Sequence, residues 1–90
     1  MLKQLFTIIE DRKANPVEGS YTARLFAEGE DKILQKIGEE AVEVILAAKG
    51  QGRQRIIEET ADLFYHTLVM LAAKDVTLDD IEAELRQRHK

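Results

Sequence analysis

Cysteine and tryptophan are absent from this 90-residue sequence, and proline occurs only once. Without cysteine, disulfide bonds and thiolate metal sites are excluded, and a reducing compartment is permitted. Aromatic residues make up only 6% of the chain, so stacking on nucleobases has few candidates. The apolar run near the start is too short for a membrane span, and it lacks a signal-peptide pattern. We therefore predict a cytoplasmic protein with no membrane partner.

Positive charge is also in short supply, because 17 acidic residues face 13 basic ones and the formal net charge is −4. Broad nucleic-acid binding rests on an excess of Lys and Arg facing phosphates, so we expect no nucleic-acid partner. A small anionic ligand held through a divalent cation is still allowed. The length permits one domain, which we assign to residues 1–90. A domain this small buries only about 60–65% of its unfolded surface, and a second copy would bury more.

Apolar residues recur at helical spacing, and no segment alternates convincingly between apolar and polar residues. The sequence therefore predicts an all-α fold, a small bundle of four to five helices. Ser20 is a good N-cap, and Thr77 followed by Asp80 resembles a capping box. Turn-forming residues divide the chain at Asn15-Pro16, Gly29 and Gly50-Gln51-Gly52. The predicted helices cover about residues 1–14, 21–28, 31–49, 53–74 and 78–88.

The third predicted helix carries acidic residues on the face that should point into the core. On a helical wheel of about 100° per residue, Glu40 falls within the apolar stripe that contains Ile33, Ile37 and Val44. Glu43 lies beside this stripe, and Glu39 lies further round, at its edge. A carboxylate that points into a core costs several kcal/mol unless it is paired or bound to metal.

The fourth predicted helix is apolar around nearly its whole circumference and should be buried. One polar ridge interrupts it, and this ridge is formed by Arg55, Glu59, Asp62 and His66. Taken alone, His66 is interpreted as a satisfied core histidine, and the neighbouring Tyr65 as a core residue. The short connection makes the third and fourth helices antiparallel neighbours. The carboxylates of both helices should therefore converge in one wall.

Such a cluster is stable only if some acids are protonated or a cation is bound. Oxygen-only ligands favour Mg²⁺, Mn²⁺ or Ca²⁺ over zinc, and Mg²⁺ suits phosphoanhydride chemistry. The alternative is a solvated ladder in which the acids of the third helix pair with Lys32, Lys36 and Lys49. Two acidic strings on otherwise apolar faces favour the metal site over this ladder.

The two strings, Glu39-Glu40-x-x-Glu43 and Glu59-x-x-Asp62, resemble those of the all-α NTP pyrophosphohydrolase superfamily. Other segments are more specific and resemble the phosphoribosyl-ATP pyrophosphohydrolase family. These are Arg12-Lys13, Gly19-Ser20-Tyr21-Thr22, Lys36-Ile37-Gly38-Glu39-Glu40-Ala41-Val42-Glu43 and Glu59-Thr60-Ala61-Asp62-Leu63-Phe64-Tyr65-His66. The resemblance covers the chain from about Leu5 to Ala73.

The resemblance implies hydrolysis of phosphoribosyl-ATP to phosphoribosyl-AMP and pyrophosphate, the second step of histidine biosynthesis. It also implies dependence on Mg²⁺, with Mn²⁺ as a possible substitute, and a helical homodimer or higher homo-oligomer assembled through long apolar helices. The implied catalytic residues and metal ligands are the same five acids, namely Glu39, Glu40, Glu43, Glu59 and Asp62. A carboxylate not fully engaged with metal, either Glu39 or Glu43, would take the proton from the attacking water.

Basic residues and the start of the second helix should hold the nucleotide substrate. The predicted substrate-binding residues are Arg12, Lys13, Ser20, Tyr21, Thr22, Lys36 and His66. Arg55 is a weaker candidate for this role, and Lys32 reads better as a solvated charge. Two alternatives are a house-cleaning pyrophosphatase acting on nucleoside triphosphates such as dUTP or dCTP, and a non-catalytic dimerisation module that only binds a cation. No Walker motif is present, so an ATPase of that class is excluded.

Overall fold

The computed structural model describes residues 1–89 and confirms the all-α class, because this part of the chain forms helices and no strand. The predicted bounds differ from the observed ones by at most one residue at each end. The helices are α1 (Leu2–Ala14), α2 (Tyr21–Glu28), α3 (Glu30–Gly50), α4 (Arg53–Ala73) and α5 (Leu78–Arg88).

Local polar contacts explain where two of the helices begin. Ser20 Oγ accepts a hydrogen bond from the backbone N–H of Ala23 at 3.1 Å, which confirms the predicted N-cap of α2. Thr77 and Asp80 form the predicted capping box with reciprocal bonds of 3.1 and 2.9 Å. Gly52 has a φ of 88°, a region that favours glycine, and this allows a tight connection between α3 and α4.

The core forms where α1 and α2 cover one side of the α3–α4 pair. Helices α3 and α4 make the most extensive contact, α1 packs on α4, and α2 contacts both α1 and α3. Each of these four helices contributes at least one buried residue to one apolar cluster. The buried members are Phe6, Ile9, Leu25, Ile33, Leu68, Val69, Leu71 and Ala72.

Burial of α4 is less complete than its apolar circumference predicts. Its second half carries most of its buried residues, whereas Ile56, Ile57 and Phe64 remain between 37% and 50% exposed. The physical reason is that α1 and α3 cover only part of this helix. Helix α5 has no buried residue, although Ile81 and Leu85 lie on its apolar face. None of the helices in residues 1–89 is long and apolar enough to cross a membrane.

Candidate active site

Three of the predicted acids meet at the contact between α3 and α4. Glu40 comes from α3, Glu59 and Asp62 come from α4, and one carboxylate oxygen of each lies within 4.8 Å of the others. Glu59 and Asp62 share a helix face because they are three residues apart. Glu40 and Glu59 are buried, and Asp62 is exposed. The predicted convergence of acids from the two helices is therefore observed for these three.

Two basic side chains partly offset the charge of this three-carboxylate cluster. Lys36 Nζ lies 3.5 Å from Glu40 Oε1, and the guanidinium of Arg55 is ion-paired with Glu59. Burial raises the pKa of the Glu59 carboxyl above its ordinary value; the charge of Arg55 opposes this, and that of Asp62 adds to it. The carboxylate of Asp62 makes no ion pair within residues 1–89.

The other two predicted ligands border the cluster and are not part of it. Glu39 is exposed on α3, where it accepts a 2.9 Å hydrogen bond from Gln35 and lies 3.5 Å from Lys36 Nζ. The hydrogen bond from Gln35 lowers the pKa of Glu39. Glu43 is half-buried, and its negative charge acts on Glu59 and Arg55. The exposed position of Glu39 agrees with its predicted place at the edge of the apolar stripe of α3.

The donor set of the cluster fits a small hard cation. All three donors are carboxylate oxygens, the ligands that Mg²⁺ and Mn²⁺ prefer. Among three ligands of one octahedral Mg²⁺ ion, at most one pair is opposite, about 4.2 Å apart, and the other pairs are adjacent, about 3.0 Å apart, because each bond is about 2.1 Å long. Oxygens within 4.8 Å of one another would therefore need to approach by up to about 2 Å to bind one ion together.

Comparison with known proteins gives the family. A family model described as phosphoribosyl-ATP pyrophosphohydrolase matches residues 2–89. The chain belongs to the phosphoribosyl-ATP pyrophosphohydrolase family. The name of this family refers to hydrolysis of a phosphoanhydride, a reaction for which a site of clustered carboxylates is suited.

Individual relatives agree with this family. A phosphoribosyl-ATP pyrophosphatase from Geotalea daltonii is 57% identical over 88 residues, which cover 98% of this chain and 83% of that protein. One from Clostridium acetobutylicum is 52% identical over 90 residues, covering 100% of this chain and 82% of the relative. A histidine biosynthesis bifunctional protein from Caldanaerobacter subterraneus is 51% identical over all of this chain, which corresponds to 44% of that protein.

Tyr21, at the start of α2, is connected to Asp62 of the cluster through hydrogen bonds to His66. His66 is buried, and its Nδ1 lies 2.8 Å from the backbone carbonyl oxygen of Asp62. Because a carbonyl only accepts, Nδ1 carries the proton, and in the neutral ring Nε2 accepts from Tyr21 Oη at 3.1 Å. This burial and bonding agree with a satisfied core histidine, and the predicted role of His66 in substrate binding stays a prediction. Both ring nitrogens are already engaged with protein atoms.

The remaining predicted substrate-binding residues differ in how close they lie to the cluster and in which protein groups they contact. Ser20 and Thr22 use their hydroxyls within the protein, Ser20 as the cap of α2 and Thr22 in a hydrogen bond with Tyr65. Lys13 Nζ donates to the carbonyl oxygen of Ala72 at 2.8 Å, ten residues beyond Asp62 and so about 15 Å further along α4. Arg12 pairs with its neighbour Asp11. Among the basic residues predicted to bind substrate, Lys36 lies at the cluster, and the weaker candidate Arg55 also reaches it through its pairing with Glu59.

The sequence placed Arg55 on the correct ridge but did not predict its direct pairing with Glu59. The available signal was the spacing of four residues, which brings two side chains together on a helix. The helical wheel also places Arg55 on the same polar ridge as Glu59.

Proposed function

We propose that this chain hydrolyses the α–β phosphoanhydride of phosphoribosyl-ATP, giving phosphoribosyl-AMP and pyrophosphate, the second step of histidine biosynthesis. Family membership over residues 2–89 and relatives above 50% identity named phosphoribosyl-ATP pyrophosphatase support this activity. The observation that carries it in this chain is the three-carboxylate cluster between α3 and α4. We assign the whole of residues 1–90 to one domain with this function.

We propose that Glu40, Glu59 and Asp62 hold Mg²⁺, or Mn²⁺ as a substitute, with Glu39 and Glu43 as further ligands. The oxygen-only donor set and its spacing support this assignment. When bound, the cation neutralises charge on the phosphoryl oxygens and on the pyrophosphate leaving group. The barrier of this reaction lies mainly in the negative charge on these oxygens, which is why a cation held by the acids would accelerate it.

The chain's own residues would contribute positioning and proton transfer. Lys36 lies beside the cluster with a partly exposed side chain, and its ammonium is suited to a phosphate oxygen. The attacking water must lose a proton, and Glu39 and Glu43 border the cluster where they can accept it. The two residues stay alternatives for this step, with Glu39 exposed and bonded to Gln35 and Glu43 half-buried.

We also propose that two copies of the chain associate through long apolar helices. In the single chain, apolar residues remain exposed on the second half of α3, with Val42 at 54% and Ile45 at 66%. An apolar groove also runs between α4 and α5, and it is lined in part by Phe64 and Leu85. Surface of this kind marks a protein interface more often than a free surface. The cytoplasmic location and the lack of a nucleic-acid partner stay predictions.

A pyrophosphate-release assay tests the proposed activity against its alternatives. The purified chain is incubated with phosphoribosyl-ATP, ATP, dUTP or dCTP, each with Mg²⁺ and with excess EDTA. We expect pyrophosphate from phosphoribosyl-ATP in Mg²⁺ and a large loss of rate in EDTA. Preference for dUTP or dCTP would favour the house-cleaning pyrophosphatase, and no release from any nucleotide would favour a non-catalytic module.

A further inference from the structure

Arg55 lies between one buried and one exposed carboxylate on α4. Its guanidinium is ion-paired with Glu59, and its Nη1 lies 2.5 Å from Glu58 Oε1. The side chain of Glu59 is 8% exposed, whereas those of Glu58 and Arg55 are 45% and 47% exposed. One cation therefore serves a buried acid of the candidate metal site and an acid in contact with water.

Glu59 depends on this cation for its compensation. The neighbouring carboxylates all add negative charge around Glu59, and the positive charge of Arg55 opposes them. Lys36, the other basic residue at the cluster, pairs with Glu40 on α3. A buried carboxylate is tolerated only when it is paired with a cation or bound to a metal. Arg55 supplies that pairing for Glu59.

We propose that Arg55 is an internal counter-ion that competes with the divalent cation for Glu59 and so sets the cation concentration at which the site fills. This inference rests on the proposed function, because it takes Glu59 as a metal ligand. Two cations on one carboxylate repel each other, so binding of the divalent ion favours release of Glu59 by the guanidinium. Glu58 lowers the cost of this release, because the guanidinium keeps an exposed partner.

Titration of the intact protein with Mn²⁺ by calorimetry tests the competition directly. Removing the competing charge with Arg55→Gln should tighten Mn²⁺ binding roughly tenfold, the scale of one charge-assisted hydrogen bond. Arg53→Gln is the matched control, because Arg53 is exposed on the same helix and makes no ion pair within the described chain. It should change the affinity by less than about twofold. Arg55→Lys keeps the charge and should stay close to the parent.

Unfolding by urea supplies a readout that needs neither substrate nor turnover. In EDTA, Arg55→Gln should unfold at a lower urea concentration than the parent, because Glu59 is left buried without a counter-charge. Saturating Mn²⁺ should remove this difference, since the metal then compensates Glu59 in both proteins. Arg53→Gln should follow the parent under both conditions.

The outcomes separate this inference from the function on which it rests. Unchanged Mn²⁺ binding in Arg55→Gln, relative to Arg53→Gln, would overturn the competition. Weaker binding would also overturn it and would make Arg55 a support of the metal site. Glu59→Gln tests the site itself. If the parent binds Mn²⁺ and Glu59→Gln binds it more weakly, the metal site stands whatever Arg55 does. If the parent binds no Mn²⁺, the metal site and the competition both fail. If Glu59→Gln binds Mn²⁺ as tightly as the parent, Glu59 is not a ligand and the competition fails.

Discussion

Asp62→Asn separates a metal ligand from a structural residue most cleanly. The substitution keeps the shape of the side chain but removes one negative charge from within 4.8 Å of Glu40. Two unit charges at that distance repel by about 3.5 kcal/mol at an effective dielectric of 20 and by about 0.9 kcal/mol in bulk water. Asp62 is exposed, so solvent screening favours the lower figure. In EDTA, Asp62→Asn should therefore be more stable than the parent by about 1 kcal/mol.

Urea unfolding at one fixed protein concentration, in EDTA and in Mg²⁺, measures this difference. With Mg²⁺ at a hundred times its dissociation constant, the parent should gain about 2.7 kcal/mol by linkage, and Asp62→Asn should gain less. Initial rates of the variant should fall by orders of magnitude, because the lost ligand positions the cation that stabilises the transition state. The control Glu82→Gln removes an exposed charge from α5, away from the cluster, and should behave as the parent.

The reverse pattern would identify Asp62 as a structural residue and not a metal ligand. If Asp62 stabilised the fold as one half of a salt bridge, Asp62→Asn would lose stability in EDTA. Its activity would then fall only as far as the folded fraction falls. An equal gain from Mg²⁺ in the parent and in Asp62→Asn would also show that the cation binds elsewhere.

Three further results are expected. Tyr21→Phe leaves the buried His66 Nε2 without its partner, so the free energy of unfolding by urea should fall by about 1 kcal/mol, and an unchanged value would contradict this pairing. The hydrogen bonds from Thr77 lower the pKa of Asp80, so the contribution of the Asp80 carboxylate to folding stability is complete above pH of about 4 and is lost as the pH falls through the lowered pKa. The stability deficit of Asp80→Ala, measured by urea unfolding, should therefore shrink in that range. A deficit that persisted at the lowest pH would argue against the capping role. Light scattering at micromolar concentration should give at least twice the 10.2 kDa chain mass, and Ile45→Glu should reduce it towards the monomer. A monomeric parent would contradict the proposed association.

The helices were predictable because their limits are set by local chemistry. Ser20, Gly52 and the Thr77-Asp80 pair act on backbone groups within a few residues, so the sequence alone indicates where α2, α4 and α5 begin. The convergence of Glu40 with the acids of α4 was also predictable. Helical periodicity places each acid on a face, and a short connection makes the two helices neighbours.

The partners of individual side chains were harder to predict. Lys13 belongs to the Arg12-Lys13 segment, which we predicted to bind substrate. Its ammonium lies instead at the end of α4, because the packing of α1 on α4 determines its position. Arg55 has two acceptors at helical spacing, and only burial distinguishes Glu59 from Glu58. The incomplete burial of α4 has a similar cause. Apolar periodicity shows that a face must be covered but not what covers it.

The central claim is a cation-dependent attack that splits phosphoribosyl-ATP between its α and β phosphates. A ³¹P NMR time course of this substrate with the parent protein in Mg²⁺ tests it most directly. We expect pyrophosphate and phosphoribosyl-AMP to appear in equal amounts, with no orthophosphate, and excess EDTA to stop the reaction. Stepwise release of orthophosphate, or equal turnover in EDTA, would contradict it.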